Sequence, residues 1–92
     1  MLTAVVQIGN GDDKLSQSRW SEFAAEVKAA AERAGKVHFS GGSHTCEPWQ
    51  NACVIVELKP AAEATLREEL VRLRDVYNQE SIALIIAQTE FL

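Results

Sequence analysis

Two amphipathic helical stretches, each held between β-branched runs, constrain this chain more than any other feature. The first, "LSQSRWSEFAAEVKAAAERAG", repeats Trp20, Phe23, Ala24, Val27, Ala31 and Ala34 at helical spacing on one face. Ser16 suits its N-cap, and Leu15 with Trp20 has the spacing of a hydrophobic staple. Gly35 is expected to stop it by adopting positive φ. The second opens at Pro60, where a missing N–H costs nothing, and buries Ala62, Leu66, Leu70, Leu73 and Tyr77. On its wet side Glu63 precedes Arg67, and Glu68 precedes Arg72, by one helical turn. Asn78 can end it.

The flanking runs are strands. "TAVVQIG", Thr3 to Gly9, precedes the first helix, and "KVHFS" follows it. "NACVIVELK" leads into the second helix, and "SIALIIAQTEF" follows that. The order is βαββαβ. Two right-handed split βαβ units then give a four-stranded antiparallel sheet of order 4-1-3-2, with both helices on one face. That α+β architecture is the ferredoxin-like sandwich.

Ninety-two residues make a single domain spanning 1–92, and 47% apolar content supplies a core without disulfide or metal staples. A formal charge of −4, with Lys14, Lys28, Lys36 and Lys59 scattered among acids, argues against nucleic acid as a partner. No apolar run reaches membrane-spanning length, and "MLTAVVQIG" has neither a basic start nor a cleavage signal. Cys46 and Cys53 are expected as reduced thiols in a cytoplasmic protein.

Strand direction in βαββαβ gathers three polar loops at one end. They carry Asn10, Asp12, Asp13 and Lys14; then His44, Cys46, Glu47 and Trp49; then Asn78. These are the candidate partner-binding residues. Each also has a plainer role. Asp12 and Asp13 fit an Asx-type turn ahead of a helix as well as they fit hard-metal ligands. Gly9-Asn10-Gly11 lacks the later glycine of a dinucleotide fingerprint. His38, His44, Cys46 and Cys53 match no standard zinc spacing. A Cys46 nucleophile with His44 as base has no evident third, orienting group. Trp49 is expected to cover the core near Trp20, the alternative being an exposed aromatic anchor. Gln50 and Asn51 are expected to satisfy loop backbone groups.

"QIGNGDDKLSQSRW", "PWQNACVIVEL" and "YNQESIALIIAQTEFL" together resemble a group of small actinobacterial and actinophage proteins of ferredoxin-like fold. That resemblance implies no activity, though a phage-type inhibitor of a host protein belongs to its range. In size and strand order the chain is also similar to the small ferredoxin-like nucleases of CRISPR adaptation. Those carry a metal-binding aspartate at the end of the first strand, where this chain reads Gly9-Asn10. The departure weakens any metal-dependent reading.

The expected function is therefore a non-enzymatic interaction module that recognises a protein or small polar partner through its three-loop end. It needs no cofactor, no bound metal and no catalytic residue. The alternative is a hydrolase of phosphodiesters or similar substrates, with Asp12, Asp13 and Glu47 around a divalent ion and His44 as acid or base. The sheet face away from the helices should carry Val5, Cys53, Ile55, Ala83, Ile85 and Ala87, tempered by Thr3, Gln7, His38 and Glu57. With Val5, Ile55 and Ile85 at its centre, and "SIALIIAQ" an edge free of charge and proline, the chain is expected to form a homodimer.

Overall fold

A computed structural model describes residues 1–43 and 49–92. The elements are β1 (Leu2–Asn10), α1 (Gln17–Ala34), β2 (Lys36–Gly42), β3 (Gln50–Leu58), a 3-10 turn (Pro60–Ala62), α2 (Glu63–Val76) and β4 (Ala83–Gln88). The sheet order is β2-β3-β1-β4, the expected 4-1-3-2 read from the opposite edge, and every neighbouring pair is antiparallel. The fold is the ferredoxin-like α+β sandwich.

Alternation places the core. Ala4, Val6 and Ile8 of β1, and Val54, Val56 and Leu58 of β3, are buried beneath the helices. Phe23 of α1 is fully buried, with its ring edge-on to Trp20 at 6.2 Å and tilted against Tyr77 at 4.9 Å. Leu66, Leu70 and Leu73 complete the core from α2. Ser16 caps α1 as expected, its hydroxyl accepting from the Arg19 N–H. Asn78 ends α2 with φ 52°. Its N–H donates to the Asp75 carbonyl and that of Gln79 to Arg74, the paired bonds of a Schellman motif.

Three local expectations are corrected. Gly35 has φ −175°, ordinary extended backbone. Glycine is needed there because a Cβ would lie 2.1 Å from the Glu57 carbonyl oxygen, so close approach of β3 sets the residue. Arg72 meets Glu69 at 3.0 Å, one turn back by three residues, whereas the expected Glu63–Arg67 pair forms at 2.9 Å. Strand β4 is shorter than its sequence run: it pairs with β1 only from Gln7 to Leu2.

Strand β2 contains an irregularity that shifts its faces. Lys36 stands opposite Glu57 and Val37 opposite Val56, but Phe39 then stands opposite Ile55, leaving His38 as the extra residue. Strict alternation would turn Phe39 toward the helices. The bulge turns it to the other face, where its ring lies over Gly41, 2.9 Å from where a Cβ would stand.

Candidate functional site

The loop after β1 is built around Asn10. This residue is 1% exposed, and its carboxamide clamps Leu15 from both sides. Nδ2 donates to the Leu15 carbonyl and Oδ1 accepts from the Leu15 N–H, each at 3.0 Å. Nδ2 also approaches Oε1 of Gln50, its cross-strand partner at the start of β3, at 3.4 Å. Gln50 in turn exchanges hydrogen bonds with Gln17 in the first turn of α1. Gln50 Nε2 donates at 2.8 Å, and Gln17 Nε2 donates back at 3.2 Å. Three carboxamides thus join β1, β3 and α1 at one end of the sandwich.

This network was not legible as such. The side chain of Gln50, expected to serve loop backbone, meets the amides of Asn10 and Gln17. The available signal was an amide residue at each of three element ends that the topology brings together. Asn10 is accordingly an interior residue that shapes the loop.

Asp12 and Lys14 occupy the exposed outside of that loop. The Lys14 N–H donates to Asp12 Oδ1 at 3.2 Å, an Asx-type turn, and Lys14 Nζ lies 3.8 Å from Asp12 Oδ2. Asp13 turns the chain with φ 53° while its N–H donates to the Asn10 carbonyl. Lys14 Nζ also donates to the Asn78 carbonyl at 3.3 Å, which ties the β1–α1 loop to the end of α2. The expected gathering of these loops is met for Asn10, Asp12, Asp13, Lys14 and Asn78. His44, Cys46 and Glu47 lie outside the described residues.

Trp49 does not cover the core: it is 71% exposed. It immediately precedes Gln50, so a fixed hydrogen-bonded residue adjoins a large aromatic surface in water.

Among the described residues no group of three or more His, Cys, Asp or Glu side chains comes together. His38 lies 3.8 Å from Glu57 through Nε2, whereas Cys53 pairs across to Gly41, about 10 Å further along β2 at 3.3 Å per residue. These two members of the candidate zinc set do not share a site. Cys53 is a free thiol, half-buried.

The helix-free face carries an apolar row across all four strands. The register sets Phe39 opposite Ile55, Ile55 opposite Val5, and Val5 opposite Ile85. Phe39 is 54% and Ile85 52% exposed, with Val5 and Ile55 partly covered between them. Ala83 and Ala87 flank Ile85. Phe39 is the member that the sequence pattern missed, because of the bulge; Gly41-Gly42 within a strand was the sign that a bulge was near.

No helix among the described residues is long and apolar enough to cross a membrane. No protein-family model matches the chain, and no curated protein is significantly similar to it.

Proposed function

We propose that this protein is a non-enzymatic interaction domain of the cytoplasm whose recognition surface is the three-loop end. The exposure of Trp49 carries the reading. A tryptophan buries roughly 200 Å² when covered, so a partner enclosing the exposed part would gain about 3.5 kcal/mol at about 25 cal/mol per Å². Such an anchor is effective only if binding does not have to order it. Here the adjoining Gln50 is already fixed by Asn10 and Gln17. At the same end of the sheet, Asp12, Asp13 and Lys14 supply exposed charges of both signs, suited to a polar protein surface or a small polar ligand.

The hydrolase alternative has less support. The Asp12 carboxylate is engaged by Lys14 through both its N–H and its ammonium group. A magnesium or manganese titration of the melting temperature separates the two, since an ion bound only by the folded form raises it by linkage. The interaction domain should show no specific rise. A rise that disappears in Asp12→Asn would sink the proposal. Affinity capture with wild-type and Trp49→Ala baits then tests the surface itself: a partner held equally by both places recognition elsewhere.

A further inference from the structure

A second surface lies along the open edge of β4. Between that edge and α2 runs a groove of about 170 Å³, floored by Leu70, Val71, Ile82 and Leu84 and flanked by Arg67 and Arg74. It is too small for a drug-sized ligand, whose sites begin near about 300 Å³, but it suits single side chains. Strand β4, "ALIIAQ", presents its unpaired side to solvent with no charge or proline to blunt it. Beyond it, Thr89 is held by its N–H to the Met1 carbonyl and by its hydroxyl to Thr3. Glu90, Phe91 and Leu92 then stand exposed, with Phe91 74% accessible and Leu92 fully so.

We propose that the groove is filled by the residue 90–92 segment of a second copy of this chain, in a two-fold dimer formed by β4 pairing with β4. Three observations select this occupant. A two-fold axis normal to the sheet makes identical edge strands antiparallel and keeps all helices on one side. It therefore carries each copy's residues beyond Gln88 along the Ser81–Leu84 end of the other copy's β4, where the groove lies.

The second observation is the alternation of faces. Leu84 and Ile86 pair with Val6 and Ala4 on the helix side, and Ile85 pairs with Val5 on the open side. Continued beyond Gln88, Glu90 and Leu92 fall on the helix side and Phe91 on the open side. Residues opposite each other in an antiparallel pair share a face. Leu92 thus meets the apolar floor, while Phe91 covers Ala83 and Ile85 of the other copy.

Charge is the third. Glu90 arrives on the same side as Arg67 and Arg74. Each of these arginines meets one acid of its own helix through Nε, Glu63 at 2.9 Å and Asp75 at 3.1 Å. A guanidinium has five N–H donors, so each can accept a further carboxylate as a partner.

Light scattering and sedimentation equilibrium on the full chain provide the test. The expected species at tens of micromolar has twice the 10.1 kDa chain mass. Glu90→Arg and Arg74→Glu should each weaken the dimer about tenfold, and the double variant should recover most of the loss. Both positions are at the surface, and unchanged circular dichroism verifies the fold. Phe39→Lys, on the remote edge of the open face, should leave the dimer intact. A monomer throughout, a dimer indifferent to both charge reversals, or a dimer split by Phe39→Lys alone would overturn the proposal.

Discussion

Replacing Asn10 with alanine should be among the most damaging single changes at the loop end. The wild-type carboxamide satisfies both the N–H and the carbonyl of Leu15, a residue 8% exposed, and approaches Gln50 as well. Alanine supplies none of these bonds. A buried polar group left without a partner costs about 1–3 kcal/mol, and two groups are stranded here. Because the loop borders solvent, water can reach part of the vacated space, which favours the lower half of that range. The expected loss is about 2–4 kcal/mol. For a domain of this size each kcal/mol moves the melting midpoint by about 4–8 °C, so a fall of about 8–32 °C follows. Urea unfolding monitored by circular dichroism measures the free energy directly. Lys14→Ala is the control, since its exposed contacts contribute only about 0.5 kcal/mol. Asn10→Asp sharpens the case: it keeps an acceptor for the Leu15 N–H but faces the Leu15 carbonyl and Gln50 Oε1 with negative charge. If Asn10→Ala cost no more than Lys14→Ala, the carboxamide network would not be holding the loop.

Other perturbations test other parts of the fold. Gly35→Ala forces a Cβ against the Glu57 backbone and should cost more than about 2 kcal/mol in the same urea assay. Asn78→Gly should stabilise the domain by about 0.5–1 kcal/mol, because glycine accepts the positive φ of the helix stop more readily. Burial, with a smaller contribution from the Glu26 carboxylate, holds the Tyr77 hydroxyl above the usual tyrosine pKa. The protonated form is therefore the one favoured by folding. This contribution is complete below about pH 10 and is lost as pH rises beyond it, so Tyr77→Phe should flatten the alkaline fall in stability. Glu69 is shifted downward, first by its hydrogen bond to Arg72, so its contribution is present at neutral pH and lost in acid. Exposure and salt should keep that effect small, and Glu69→Gln should alter the acid limb of the stability curve only slightly.

The elements and their order were legible because local signals agreed with one another. A capping serine, a helical stripe ending at Gly35, a proline at the entry to the second helical region and an asparagine at its exit each marked a boundary. Failures arose where one residue's placement depends on a distant strand. Gly35 looked like a helix stop, and it is one, yet the reason lies in the Glu57 carbonyl. Alternation from Val37 would set Phe39 on the core face, and a single extra residue at His38 reverses it. Periodicity has no means of registering such an insertion. Helical spacing pairs Arg72 with Glu68, four residues back, but it meets Glu69, three back, since both spacings are about one turn of helix. Asn10 read as a candidate binding residue, and Gln50 as a support for loop backbone, until the topology brought both together with Gln17 at three element ends.

That same topology builds the two proposed surfaces on different elements, which adjoin where Asn78 leads into the Ser81 end of the groove. The loop end is organised at the tops of β1 and β3, the central strands, and its carboxamides tie it to α1. The proposed dimer instead uses β4, the outer strand, and α2. Lys14 makes a direct hydrogen bond between these halves at the loop end, to the Asn78 carbonyl. Recognition through Trp49 therefore need not displace the second copy, and a two-fold dimer would present two such ends. With linked sites, a weak single contact becomes a stronger double one, provided that the partner can span them. An apparent affinity that falls to the single-site value at concentrations where Glu90→Arg is monomeric, with Trp49 intact, would be the mark of that arrangement.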